Sequence, residues 1–259
     1  GRFKDNDYRK LRRNLTTRAL QLERGIGIKG NKKQQRLGLE RMRFAVLLIS
    51  NTALRPSTML KLRHLHITRE PGNRAWEKEE GRAYTKISVP KEISKRKDQD
   101  RVILSHDYDA TYGYYQRFKS IQEEYGHPTR PQDLIFGSTR RPDKPANLAA
   151  YFRKLLEDWD LLEDWSTGIA RNRVLYSLRS YAITKALERG VGIHVVAHNS
   201  LTSVRMIEKH YSDAISWNMR DFLHKDRTIT GKTRNFAVMT RREENELEKD
   251  AIKQVEEES

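Results

Sequence analysis

The sequence predicts a mainly α-helical fold with a small antiparallel β-sheet, an α+β class, and three observations lead to it. Apolar residues crowd helix-length segments, most clearly between Leu37 and Ser50. Two short β-rich runs, 84–90 and 101–105, flank a polar stretch and are typical of a β-hairpin with a basic turn. Beyond the hairpin, helical segments alternate with breaks at 126–131, 137–145 and 166–173 that are rich in Pro, Gly and Asp.

The N-terminal elements follow from local patterns. Residues 8–24 predict a basic helix, and the glycine-containing stretch 25–31 after it predicts a linker. The near-continuous hydrophobicity of 37–50 predicts a core helix. Ser57 is expected to cap a following helix that carries four apolar residues at helical spacing, namely Met59, Leu60, Leu62 and Leu65.

Four tyrosines recur near the start of the segment that follows the hairpin: Tyr108, Tyr112, Tyr114 and Tyr115. Such a cluster can stack on nucleic-acid bases, but a spacing of three to four residues suits packing along a helix equally well. We favour packing.

The C-terminal part has its own character. Residues 225–235 are polar and predict a hinge, and 236–259 predict an acidic helix with Leu247, Ala251 and Val255 spaced four apart. That apolar stripe is too narrow to fold alone. The tail is therefore expected to dock on a protomer, in trans in an assembly or in cis in the free chain, where it would cover basic residues. The remaining residues, 1–224, form the main domain.

The charge of the chain points to a polyanionic partner. Its 259 residues include 51 Lys and Arg against 35 Asp and Glu, a net charge of +16. Residues 243–259 contain eight acidic residues and two lysines, a net charge of −6, so residues 1–242 carry +22. No apolar run approaches the roughly 20 residues that span a bilayer. A nucleic acid is therefore the predicted partner, and no membrane is expected.

The basic residues that are candidates for DNA contacts fall in three groups, with solvated surface charge as the alternative role. They are Lys10, Arg12, Arg13, Lys29, Lys32, Lys33, Arg96, Lys97 and Arg101.

Composition also limits the chemistry. The chain has no cysteine, which excludes disulfides, a thiol nucleophile and a cysteine-based zinc site, and fits a cytoplasmic location. The first residues lack the layout of a signal peptide and an initiator Met, so an upstream segment is expected. Neither a metal nor another cofactor is expected.

Four motifs in a fixed order resemble the tyrosine recombinase, or phage integrase, family. Residues 51–57 resemble its T-G-L-R-x-S-E motif, and 176–179, Tyr-Ser-Leu-Arg, resemble its H-x-L-R motif. Residues 201–203, Leu-Thr-Ser, stand at its G-H-S or G-T-S motif, and 204–212 match the segment that ends in the nucleophilic tyrosine. The likeness extends over residues 3–215, so the resemblance implies that 1–224 are a recombinase catalytic domain.

The resemblance implies a role for each matching residue. Arg55 and Arg179 would clamp the scissile phosphate, and Tyr211 would attack it to give a 3′-phosphotyrosyl bond. A lysine in the hairpin turn would be the general acid. Lys95 is favoured from its distance to the second strand, with Lys97 as the alternative.

The sequence departs from the family pattern at four positions. Tyr176 and Ser180 stand where many members have His, Thr202 where they have His or Trp, and Thr58 where the motif has an acid. Tyr and Thr hydroxyls can donate to phosphate but cannot replace His as an acid or base near neutral pH. Tyr176 and Thr202 remain candidate site residues, and His198 could fill in from a neighbouring turn.

The resulting functional prediction is a site-specific recombinase or integrase, of the kind found in mobile genetic elements, that acts on DNA recombination sites as a dimer or tetramer without metal or ATP. A DNA-binding protein of the same fold that lost cleavage is the main alternative. A type IB topoisomerase-like relaxing enzyme is another.

Overall fold

The computed structural model describes residues 1–28, 30–72, 75–79, 81, 83–95, 99–105, 109–211 and 241–257. The helices are α1 (Asp5–Glu23), α2 (Lys32–Thr52), α3 (Pro56–Met59), α4 (Ala75–Glu79), α5 (Tyr114–Glu124), α6 (Leu148–Asp158), α7 (Leu175–Glu188), α8 (Ile193–Asn199), α9 (described over 204–211) and α10 (Arg241–Glu257). The strands are β1 (Ile67–Pro71), β2 (Ala83–Val89), β3 (Arg101–Ser105), β4 (Glu163–Asp164) and β5 (Arg171–Asn172).

Helix α2 is the centre of the fold, and it packs against α1, α5 and α7. Almost every residue from Leu37 to Thr52 is buried, which confirms the predicted core helix. The helix begins earlier than predicted because the side chain of Asn31 accepts a hydrogen bond from the backbone N–H of Gln34 at 3.1 Å. It ends where Ala53 adopts a left-handed conformation with φ of 52°.

Aromatic rings fill the space between α2 and α5. The Phe44 ring lies 5.6 Å from that of Phe136 and 5.9 Å from those of Phe118 and Tyr115. Tyr115 is buried and Tyr112 is half-buried beside it, 5.8 Å away between ring centroids. The tyrosines of this segment therefore pack, as predicted, although Tyr108 lies outside the described residues.

The β-hairpin is confirmed, with Val89 opposite Arg101 and Thr85 opposite Ser105. A strand that sequence patterns do not reveal, β1, pairs antiparallel with β2 to give the order β1-β2-β3. Only Ile67 of β1 is well buried, so the strand lacks the apolar alternation that identifies β2.

The prediction of a longer helix after α2, capped by Ser57, is wrong. Helix α3 holds only Pro56–Met59, and Arg55 rather than Ser57 occupies its N-cap. Proline fits the first helical position because it lacks the N–H that would have no partner there. The chain then turns through His64–His66 into β1, and Leu65, expected on the apolar face, is 50% exposed.

The C-terminal helix α10 packs along α1 of the same chain. Its predicted stripe is buried: Leu247 is 8% exposed, and Ala251 and Val255 are fully covered. Arg24 of α1's C-cap donates to the Val255 carbonyl at 3.5 Å and lies 3.8 Å from the Glu256 carboxylate. The predicted hinge 225–235 lies outside the described residues.

Within the described part of the chain, helices that combine the length and the apolar character needed to cross a membrane do not occur.

Candidate active site

The end of α2 places Arg55. After the left-handed turn at Ala53 the chain reverses into α3, and Arg55 at the junction is half-buried. Its Nη1 donates to the carbonyl of Leu201 at 2.6 Å. An arginine from the first third of the chain is thereby held at a turn that lies 146 positions later.

Helix α7 places Arg179 in the same region. Its side chain is 2% exposed, and its Nη1 donates to the carbonyl of Ser200 at 2.6 Å and also to that of Ala53. Its guanidinium carbon lies 5.9 Å from the centre of the Tyr176 ring one helical turn earlier. Its Nε is buried without a hydrogen-bond partner. Among the described residues, no carboxylate forms an ion pair with Arg179.

The turn that receives both arginines follows α8. Leu201 has a φ of 52°, a left-handed conformation that is uncommon for a non-glycine residue. The Asn199 side chain accepts from the backbone N–H of Leu104 at 3.1 Å and joins this turn to β3. The sheet and α2 thus fix the turn that the two guanidinium groups share.

Tyr211 lies beside Arg179 in a cavity of about 260 Å³. The Tyr211 hydroxyl donates to the Ser180 hydroxyl over 3.4 Å, a long contact that is easily exchanged for another. Residues from α7, α9, the 200–203 turn and the N-terminal segment line this cavity: Arg2, Tyr176, Arg179, Ser180, Ile183, Thr202, Met206, His210 and Tyr211.

The electrostatics of the cavity favour an anion. Burial, and then the neighbouring Arg55 charge, lower the pKa of Arg179 to about 10. The group stays protonated at neutral pH, so two like charges are held close together. An anion in the cavity beside Arg179 would offset both the desolvation of its guanidinium and the repulsion from Arg55.

Four of the predicted catalytic residues line the cavity, namely Arg179, Tyr211, Tyr176 and Thr202. Arg55 does not line it, but donates to the Leu201 carbonyl next to Thr202. Two further candidates also lie outside the lining. His198 is exposed on α8, and Lys95 is exposed in the connection between β2 and β3. Lys97, the alternative to Lys95, lies outside the described residues, as does Arg96, a predicted DNA contact.

Sequence reasoning missed Arg2 and His210. The sequence offers one indication for His210, namely its position directly before Tyr211. In α9 it lies one helical turn after Met206, which also lines the cavity. Arg2 had no such indication, because its position depends on tertiary contacts: its N–H donates to Asp164 at 2.6 Å, and its carbonyl accepts from Arg173 at 2.7 Å.

The predicted DNA-binding residues divide by exposure. Lys10, Arg13, Lys32 and Lys33 are exposed, and Arg101 is half-buried. Arg12, in contrast, is 3% exposed and its guanidinium lies over the Tyr114 ring, so this charge is not presented to DNA. Lys10 and Arg13 face the acidic residues Glu246 and Asp250 of α10 across a surface cavity of about 460 Å³. Lys29 lies outside the described residues.

Clusters of three or more side chains able to hold a metal ion do not occur in the described ranges.

The fold is similar to that of three solved recombinase structures. The XerH site-specific recombinase in a post-cleavage complex with palindromic difH substrate superposes with a TM-score of 0.57 and 12% identity, covering 86% of this chain and 52% of that chain. The XerH pre-cleavage complex with difH gives 0.52 and 14% over 82% and 49%, and the XerA recombinase gives 0.54 and 14% over 88% and 64%.

These likenesses confirm the predicted fold class, a mainly helical recombinase catalytic-domain fold with a small antiparallel sheet. The chain spans about half to two thirds of the length of these recombinases. No protein-family model matches it, and no curated protein sequence does.

Proposed function

We propose that this chain is the catalytic part of a site-specific recombinase or integrase that cleaves and rejoins DNA through Tyr211. One observation carries the proposal. The Tyr211 hydroxyl shares a cavity with Arg179, a guanidinium that is 2% exposed and pairs with none of the described carboxylates. A nucleophile beside preorganised positive charge is what attack on a phosphodiester requires.

The proposed reaction is a phosphoryl transfer between two oxygens. The Tyr211 oxygen forms a bond to the scissile phosphorus, and the bond from phosphorus to the 5′-oxygen breaks. The tyrosine proton leaves to a base, and the departing 5′-oxygen takes up a proton, so the proton count is unchanged. A 5′-hydroxyl of a partner strand then reverses these steps, so neither ATP nor net hydrolysis enters the cycle.

The two arginines have distinct parts in this reaction. Arg179 lines the cavity and would contact a non-bridging phosphate oxygen directly. Arg55 donates to the neighbouring carbonyl of the same turn and would complete the clamp after a movement of its side chain. Tyr176 and Thr202 would donate further hydrogen bonds to the phosphate.

Protonation of the leaving 5′-oxygen is proposed for Lys95. It is exposed in the β2–β3 connection, where a bound DNA strand could reach it. Lys97 remains the alternative. His210 lines the cavity next to the nucleophile and is a further group that could exchange protons there, because its ring nitrogens can donate or accept a hydrogen bond.

Double-stranded DNA is the proposed substrate, bound by a dimer or tetramer of this chain. The +22 charge of residues 1–242 supports a polyanionic partner. Strand exchange joins ends from different duplexes, so more than one active site has to be brought together. Residues 236–259, as a tail on a hinge at 225–235, would regulate this assembly, because α10 covers part of the basic face of α1.

The decisive experiment detects the covalent intermediate. Sites would first be selected from a randomised duplex library bound by the Tyr211→Phe variant. The selected duplexes are then nicked near each candidate phosphate and incubated with wild-type protein. The nick lets the short cleaved fragment diffuse away, so that the covalent complex accumulates. We expect a protein–DNA adduct on a denaturing gel with the wild type and none with Tyr211→Phe, while both bind the duplex equally. An adduct formed by the Phe variant would refute Tyr211 as the nucleophile.

A DNA-binding protein without cleavage activity is the second candidate. The observation that favours it is the cavity lining itself, where Tyr176 occupies a position at which the resembled family has His, and Thr202 one at which it has His or Trp. Tight, site-specific binding without any adduct would support this candidate. Relaxation of supercoiled plasmid without strand exchange would instead indicate a topoisomerase-like activity.

A further inference from the structure

A second cavity, of about 440 Å³, lies at the opposite end of α2 from Arg55. It opens between the first turns of α2 and the segment that leads into α6, residues 138–148. Arg41 lies in its wall, and the eleven helical steps from Arg41 to Thr52 correspond to about 16 Å of helix. This cavity is therefore separate from the one that holds Tyr211.

Arg41 is buried without a counter-ion. Its side chain is 4% exposed, its two terminal nitrogens each lie 3.5 Å from the Thr139 hydroxyl, and its Nε is buried with no hydrogen-bond partner. Among the described residues no carboxylate pairs with it. Burial lowers its pKa to about 10, which leaves it charged at neutral pH.

Arg43, two residues further along the same helix, shows how a buried arginine is usually accommodated. Its side chain is 5% exposed, and its Nη1 donates to both carboxylate oxygens of Glu40 at 2.9 and 3.0 Å. A buried charge without such a partner destabilises the fold. Arg41 thus retains an unmet requirement for an anion that Arg43 does not have.

Other features of the cavity also favour an anion. Ala146, Asn147 and Leu148 line it, so the N-terminus of the 11-residue helix α6 opens onto it with its partial positive charge. Arg140 adds a second guanidinium at the exposed rim. Tyr151 lies in the wall, and burial raises the pKa of its hydroxyl, so that this group stays a neutral hydrogen-bond donor.

We propose that this cavity binds a phosphate group, with Arg41 as the buried anchor and Arg140 and the α6 N-terminus as the outer contacts. Two guanidinium groups and a helix terminus supply more positive charge than a single carboxylate would balance, whereas a phosphate dianion matches it. The volume accommodates a phosphate together with an attached organic group. Two sources share this chemistry, a small phosphomonoester and a backbone phosphate of DNA.

The first test titrates the full chain with inorganic phosphate at constant ionic strength, followed by calorimetry and by the thermal midpoint. Wild-type protein is expected to show saturable binding, and Arg41→Met to bind at least about tenfold more weakly. Arg153→Gln is the matched control, because Arg153 lies on the exposed face of α6, is paired with Glu157 at 2.8 Å and does not line the cavity. This control should bind phosphate like the wild type.

The proposal is overturned if wild-type protein shows no saturable phosphate binding, or if Arg41→Met binds phosphate as tightly as the wild type. Should Arg41→Met fail to fold, Arg140→Gln decides, because its exposed side chain is removed at little cost to stability. It should weaken phosphate binding about threefold or more, and an unchanged affinity would equally overturn the proposal.

A second arm distinguishes the two sources with adenosine monophosphate and with a 20-base-pair duplex, the latter followed by fluorescence anisotropy. If a small phosphomonoester is the ligand, Arg41→Met loses nucleotide binding and keeps its affinity for the duplex. If the ligand is a DNA phosphate, the variant binds the duplex several-fold more weakly, and inorganic phosphate competes with that contact only in the wild type. Loss of neither ligand in the variant would again overturn the proposal.

Discussion

Arg55 and Arg179 donate hydrogen bonds to the carbonyl oxygens of two consecutive residues, Leu201 and Ser200, each at 2.6 Å. The two guanidinium groups come from parts of the chain more than 100 residues apart, yet one turn fixes both. Like charges repel, and the Arg55 charge adds to burial in lowering the pKa of Arg179. The turn thus fixes the Arg179 guanidinium, which pairs with none of the described carboxylates, in the cavity that holds Tyr211.

The first prediction concerns these two arginines. Arg179→Ala and Arg55→Ala should each raise the barrier to DNA cleavage by about 3 kcal/mol or more, because each removes preorganised charge from the transition state. The rate of covalent-complex formation on a nicked selected site measures this effect. Arg179→Lys should lose less, since it keeps the charge but not the planar fork.

Arg153→Gln serves as the control for general loss of positive charge, since Arg153 is exposed on α6. Circular dichroism should show that each variant is folded before its rate is compared. A rate near that of the wild type in Arg179→Ala would contradict the clamp.

The second prediction concerns salt. DNA binding by the full chain should weaken steeply as salt rises, because each neutralised phosphate contributes about −0.9 to the slope of log K against log salt. Lys10→Gln should reduce that slope by about one if the exposed Lys10 contacts a phosphate. Anisotropy titrations between about 50 and 200 mM salt measure both slopes. A flat dependence would place the DNA on another surface.

Much of this fold was predictable from sequence, for identifiable physical reasons. Helix α2 and the β2–β3 hairpin bury a continuous or alternating set of apolar side chains, and such periodicity is visible without a structure. Strand β1 buries little and shows no such pattern. The burial of Arg12 was equally hidden, because it depends on the Tyr114 ring of a distant helix.

The candidate site divides in the same way. Arg179 and Tyr211 were identified through the resemblance of local motifs, and the structure places them in one cavity. The cavity position of Arg2, in contrast, depends on contacts with Asp164 and Arg173 that lie more than 160 residues away in sequence. Contacts between residues so far apart in the chain produce no local sequence pattern from which they could be predicted.

The third prediction is a loss of stability in acid caused by His64. Its side chain is 5% exposed, its Nδ1 lies 3.1 Å from the Tyr115 hydroxyl, and burial lowers its pKa to about 4 from the usual 6.5. As the pH falls, His64 therefore takes up a proton at a higher pH in the unfolded chain than in the folded chain. Its effect on the free energy of unfolding is absent above about pH 7. Between pH 6.5 and about 4 the free energy of unfolding falls by on the order of 2 kcal/mol because of this group.

The measurement is urea unfolding at several pH values for the wild type and for His64→Gln, which keeps a polar group near Tyr115 but does not titrate. His66 and His127 also have lowered pKa values and remain in both proteins, so only the difference between the two curves reports on His64. Identical dependence on pH in both proteins would show that His64 contributes nothing.

The last prediction concerns the acidic face of α10. Glu246 and Asp250 face the basic residues Arg9, Lys10 and Arg13 of α1 across a shared cavity. These carboxylates compete with DNA phosphates for the same cations, so replacing both with amides should tighten DNA binding several-fold at low salt, with the gain vanishing as salt screens the charges.

Glu246→Gln with Asp250→Asn keeps the apolar stripe of α10 and therefore its packing on α1, which a deletion would not. The control is Glu257→Gln, because Glu257 lies on the same helix, is paired with Lys253 at 3.9 Å and does not line this cavity. Equal DNA affinity of the double variant and the wild type at low salt would show that α10 does not shield α1 from DNA.

Deletion of 236–259 should also impair formation of ordered multimers on DNA, while binding to one half-site stays unchanged or becomes tighter. Full recombination by the deleted chain would rule out a role of the tail in assembly.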